Sequence, residues 1–205
     1  MEQWINDYFN QLCHLQLNAV VTSEDNESLT LSHGFHHYIQ YVQSMRQARG
    51  KLLFVGNGGS AGICSHLAID YSKNGHIPSM AFNDASAITC IGNDFGYEHV
   101  FAKQIEFHAR QEDILIAISS SGNSANIVNA VKAARMVGCK VVTLSGFHPD
   151  NVLRRLGDIN FYVSAKEYGV VEVSHLALGH ALLDYIIQEE AGILATVEDT
   201  MSVSL

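Results

Sequence analysis

From Lys51 onward short apolar, β-rich runs alternate with longer amphipathic stretches, and no other feature of the chain restricts its fold so strongly. The candidate strands are Leu52 to Val55, Ser79 to Phe82, Ile114 to Ile118, Lys140 to Leu144 and Ile159 to Val163. Helical spacing fills the intervals near 60–73, 98–109, 124–137 and 149–156, and a long final helix is expected at about 170–190. Strands separated by crossover helices pair in parallel and need helices on both faces, so the fold class is α/β: a three-layer sandwich around a five-stranded parallel sheet. Ahead of it, residues 2–21 and 29–49 carry apolar positions at helical spacing on either side of a polar stretch from Thr22 to Ser28, which reads as a helical hairpin. With 205 residues, no repeat and no linker, one domain spanning 1–205 is expected. Its parts would be the hairpin at about 1–49, a core at about 50–192 and a short C-terminal tail.

Charge narrows the function. Twelve Lys+Arg against 21 Asp+Glu leave a formal charge of -9, and basic residues never run beyond two in a row, which argues against a nucleic-acid partner. The N-terminus is acidic where a secretory signal would be basic, and uninterrupted apolar runs fall short of a membrane span. Cys13, Cys64, Cys90 and Cys139 are scattered and form no CxxC. Reduced thiols in a soluble cytoplasmic protein are expected, with no membrane partner.

Two loops could hold an anion. The first strand runs into Gly56-Asn57-Gly58-Gly59-Ser60-Ala61, where glycines let backbone approach a ligand and the next helix offers free N–H groups. Taken alone this fits a dinucleotide fingerprint, with Asp84 where a ribose-binding acid would sit. A tight turn with no ligand fits it too. The third strand ends in Ser119-Ser120-Ser121-Gly122-Asn123-Ser124, which a dinucleotide site does not need. Serine turns often only cap helices, but a phosphate in an acidic protein must be held by neutral donors. Both loops lie at carboxyl ends of parallel strands, so a sugar phosphate in a crevice at that edge is expected, and no nucleotide cofactor.

Gly56 to Ser60, His66, the block Asn93-Asp94-Phe95-Gly96-Tyr97-Glu98 and the loop Ser119 to Ser124 together resemble the sugar isomerase (SIS) domain, in its phosphoheptose isomerase branch. The resemblance covers roughly residues 30–190. It implies conversion of sedoheptulose 7-phosphate to glycero-manno-heptose 7-phosphate, the first step toward bacterial heptose for lipopolysaccharide or capsule. It also implies a homotetramer whose active sites lie at subunit interfaces. By the same resemblance Asn57, Gly58, Gly59 and Ser60 touch substrate, Ser119, Ser120, Ser121 and Ser124 bind phosphate, and Asn93 and Asp94 bind sugar hydroxyls. Many relatives hold zinc through a His and Glu four apart and a Gln and His eight apart. The matching positions here are His66, Asp70, Glu172 and His180, with Asp in place of Glu and Glu in place of Gln.

An aldose–ketose isomerase moves a proton between C1 and C2 and needs a base near carbon and an acid or metal near the carbonyl oxygen. His66 and Asp70, four residues apart, share one helical face. Asp70 is the expected base and His180 the expected acid; Glu172, with the longer reach, is the alternative base and a substrate contact. His175, on the same helix, reads as a structural histidine. The rival reading is a non-catalytic SIS protein that binds a sugar phosphate and serves as an assembly factor, of the replication-initiator-associating kind.

Overall fold

The computed structural model describes residues 1–193; the expected C-terminal tail lies outside them. The N-terminal helix α1 (Glu2–Leu17) and α2 (Leu31–Gln47) are present, but the polar stretch between them is not a plain loop. It forms a β-hairpin, β1 (Val20–Ser23) and β2 (Ser28–Leu29), which joins the main sheet. The remaining strands are β3 (Leu52–Gly56), β4 (Ser79–Ala81), β5 (Ile114–Ser119), β6 (Lys140–Ser145) and β7 (Ile159–Tyr162). The sheet order is β2-β1-β7-β6-β5-β3-β4. Five strands are parallel as expected, while β1 runs antiparallel beside β7. The expected count of five therefore becomes seven through the hairpin.

The hairpin docks because Asn160, buried in β7, reaches across to it. Its amide donates to the carbonyls of Thr22 and Ser23, while its oxygen accepts from the Thr143 hydroxyl at 2.7 Å and the Gly157 N–H at 2.9 Å. A buried polar side chain is tolerated when every group on it is used.

Helices α3 (Gly59–Lys73), α5 (Ala102–His108), α6 (Ala125–Val137) and α7 (Tyr168–Glu190) lie close to the expected stretches. One helix was not anticipated: α4 (Ala85–Phe95), capped by Asp84, whose carboxylate accepts from the Ala87 N–H at 2.8 Å. That cap occupies the acid a dinucleotide site would need for ribose. The stretch near 149–156 shortens to a 3₁₀ turn at Leu153–Arg155.

Alternation along the strands makes the layers. Leu52, Phe54, Ile114, Ile116, Val142 and Leu144 face one core with α2, α3 and α7, whereas Leu53, Val55, Leu115, Ala117 and Val141 face the other with α5 and α6. Among the described residues α7 is the one helix with the length and hydropathy of a membrane span. It is nonetheless a core helix, since Val170, Val171, Leu178, Leu182, Leu183 and Ile186 are buried against α3 and the sheet. Burial also raises the thiols of Cys64 and Cys139, the latter to about 11, so both stay protonated and inert.

His175 pins α7 to β6, its Nε2–H donating to the Ser145 carbonyl at 3.1 Å. Complete burial pushes its imidazole down to about 4 despite that bond. The unfolded chain protonates this group near 6.5 and the folded chain only near 4, so its contribution to stability is whole above pH 6.5 and is lost as pH falls toward 4. The expected loss is about 3 kcal/mol. Thermal melts from pH 7 to pH 4 should show a shallower decline for His175→Gln than for the native chain; equal slopes would contradict the assignment.

Candidate active site

The strand order reverses at β3: the chain passes to β4 on one side of it and then to β5 on the other. The loops that follow β3 and β5 consequently sit side by side at the switch point, where open α/β sheets bind ligands. A cleft of about 380 Å3 opens there, lined by Asn57, Gly58, Gly59, Ser60, Ser119, Ser120, Ser121, Ser124, Tyr168 and Glu172. Eight of the expected substrate contacts, Asn57 to Ser60 and the four serines, thus line one space, and Glu172 joins them.

Local backbone explains the two loops. Gly58 has φ 54° and ψ -123°, a conformation closed to side-chain-bearing residues, and it turns the chain from β3 into α3. Gly122 has φ 64°, and a methyl group there would overlap the amide of buried Asn151. Asn151 braces the serine loop from below: its amide donates to Ser145 Oγ, and its oxygen accepts the Arg154 N–H at 3.0 Å. Asn57 is held similarly, exchanging amide hydrogen bonds of 2.8 and 2.9 Å with Asn126 while its oxygen accepts from the Tyr97 hydroxyl at 3.2 Å. Its side chain therefore fixes the glycine loop.

The serine loop is more than a helix cap. Ser124 stands at the N-cap of α6, yet its side chain makes no capping bond. Ser120 Oγ is buried with no partner. A buried hydroxyl without a partner costs on the order of 1–3 kcal/mol, a cost that a ligand in the cleft relieves. The N-termini of α3 and α6 both face the same space and favour negative charge. The cleft lining holds no Lys or Arg.

The second cluster lies further along α3 and α7. His66 Nε2 and His180 Nε2 are 3.1 Å apart, and Asp70 Oδ2 is 3.3 Å from the first and 3.8 Å from the second. These three residues form a set of potential metal donors. Of the expected set of four, Glu172 is not among these three; its carboxylate lies against Gly59 at the start of α3. Eight residues on α7 separate it from His180, a rise of about 12 Å.

Asn93 and Asp94 lie apart from the cleft within one chain. They end α4, exposed and hydrogen-bonded to each other at 2.8 Å, and they do not line the cleft. Tyr168 was missed, although its spacing of four from Glu172 puts both on one face of α7. Phe147 holds the Tyr168 ring edge-on at 4.8 Å. Asn126 carried no sequence signal, since its partner Asn57 is distant in the chain, and neither did Asn151, whose contact with the serine loop at Gly122 is one of packing.

Residues 28–146 match the SIS domain family. The chain is 36% identical to the phosphoheptose isomerase of Rhodospirillum rubrum over 147 residues, 69% of this chain and 78% of that protein. It is 39% identical to the phosphoheptose isomerase of Aliarcobacter butzleri, over 68% of this chain and 76% of that one. The chain belongs to the SIS family, in its phosphoheptose isomerase branch. A solved phosphoheptose isomerase from Neisseria gonorrhoeae superposes with a TM-score of 0.76 at 30% identity, covering 90% of this SIS chain and 98% of that one.

Gly122→Ala should destabilise the protein by about 2 kcal/mol or more, because it combines a left-handed backbone with an overlap on Asn151. Urea unfolding would measure this, and a loss below 0.5 kcal/mol, a margin on the order of that for surface changes, would show the brace to be unimportant.

Proposed function

We propose that this SIS protein is a phosphoheptose isomerase, converting sedoheptulose 7-phosphate to the corresponding heptose 7-phosphate. The observation that carries the reading is the pairing of two features on the same helices: a neutral phosphate cradle where α3 and α6 begin, and the His66–Asp70–His180 cluster further along α3 and α7. Seven residues from Gly59 to His66 rise about 10 Å, a span suited to an extended seven-carbon phosphate. A binding protein would need the first feature but not the second.

In this reading Ser119, Ser120, Ser121 and Ser124 hold the phosphate, and the glycine loop lies along the carbon chain. Asp70 presents Oδ2 to both imidazoles, leaving Oδ1 to take a proton from C1. His180 gives a proton to the C2 carbonyl oxygen, producing the enediol. Return of the carbon proton to C2 and loss of the O1 proton complete the aldose. Asp70 and His180 are thus the base and acid. Glu172, next to the cradle, is not the base in this scheme.

The donor set fits zinc. Its three atoms are 3.1, 3.3 and 3.8 Å apart, close to the edge of about 3.3 Å of a tetrahedron with bonds of 2.0–2.1 Å. Three protein donors with a fourth position open are the pattern of catalytic rather than structural zinc. Zinc held by His66, Asp70 and His180 would take up His180 Nε2 and supply Lewis-acid polarisation of the carbonyl in place of the proton that His180 gives without the metal.

We read residues 1–205 as one SIS unit that assembles as a homotetramer, with Asn93 and Asp94 reaching sugar across a subunit interface. Trp4, Ile5, Phe9 and Leu17 of α1 are exposed, which supports an interface there. The four unpaired cysteines support a cytoplasmic setting.

Incubation with sedoheptulose 7-phosphate, followed by NMR, should show the aldose product. Asp70→Asn and His180→Ala should each lower kcat about 100-fold or more with KM little changed. Absence of product from the native protein would overturn the reading. Zinc content measured without an affinity tag should fall in His66→Ala and persist in Glu172→Ala; loss in both would make Glu172 a ligand.

A further inference from the structure

A cleft built for an anion has, as its one carboxylate, Glu172, and no Lys or Arg offsets it. Its position is specific. The carboxylate lies so close to Gly59 that a methyl group on that residue would collide with both its oxygens. Gly59 opens α3, a helix of 15 residues whose first-turn N–H groups have no acceptor within the helix. In a dinucleotide site that helix start, after a glycine-rich turn, is where a diphosphate sits. Here the protein's own negative charge is already there.

The other half of the cleft differs. Ser124 leaves its hydroxyl out of the α6 cap and Ser120 Oγ is buried without a partner, while no carboxylate joins them on that side. The cleft therefore has two helix N-termini but one place for an anion. We infer that Glu172 is a specificity-determining residue: it directs a single phosphate to the serine loop, leaves the glycine loop to uncharged hydroxyls that donate to its carboxylate, and excludes diphosphates that would bridge both loops. This deepens the sugar-phosphate reading and rests on it.

Two unit charges within a few Å repel strongly enough at a protein surface to change affinity at least tenfold. The test is calorimetric titration of the full chain with sedoheptulose 7-phosphate, inorganic phosphate, pyrophosphate and ADP. The native protein should bind the first two and discriminate against the last two. Glu172→Gln, nearly the same shape without the charge, should raise the affinity for pyrophosphate relative to phosphate about tenfold or more. Glu172→Asp, which keeps the charge, should stay nearer the native ratio. An unchanged ratio in Glu172→Gln, or native binding of pyrophosphate as tight as phosphate, would overturn the inference while the sugar-phosphate reading stands. Failure of the native protein to bind sedoheptulose 7-phosphate would overturn both.

Discussion

The close approach of α7 to α3 is the contact on which the rest of the site depends. Leu67 of α3 lies over Gly179 of α7, where any side chain would push the helices apart. The buried Tyr71 hydroxyl, also on α3, donates to the Gly179 carbonyl at 3.1 Å. Gly75 receives Leu183 in the same way one turn further on. These contacts set the separation of the two helices, and His66 and His180 flank them in sequence. Because packed interiors yield little, the distance between the two imidazoles is fixed by the core beneath them. The same helix pair carries Glu172 to Gly59, so the cleft and the His66–Asp70–His180 cluster share one mechanical reference.

The proposed phosphate site, with no basic residue in its lining, follows from where the sheet reverses. Two helices begin next to each other at the ends of β3 and β5, and each adds the positive end of its dipole. Serine hydroxyls and backbone N–H groups are the other donors that line the cleft. Such a site holds an anion by direction more than by net charge, which suits a protein that carries a formal charge of -9. Asn57 and Asn151 keep those donors aimed, one from the side of α6 and the other from beneath the serine loop.

Much of this was legible from the chain. Short continuous apolar runs identified the five parallel strands to within a residue or two, because β3, β5, β6 and β7 are buried on both faces. The two loops stood out since glycine and serine clusters interrupt those runs. What escaped was long-range. The β1–β2 hairpin is four residues paired with two and is secured by Asn160, some 140 positions away, so no local pattern announces it. Helix α4 escaped although Ile88 and Ile91 give it an apolar side, because it spans only eleven residues. Only the family resemblance joins Glu172 to His180 in one metal set, and a rise of about 12 Å along α7 separates the two backbone positions.

The two ends of the sheet have their own consequence. β4 has three residues and β2 only two, so neither border presents a continuous row of unpaired peptide groups. Strand addition, by which sheets fuse or recruit extended peptides, has little to grip at either margin. Copies of this chain can therefore meet side chain to side chain through their outer helices, and the sheet stays finite within each one.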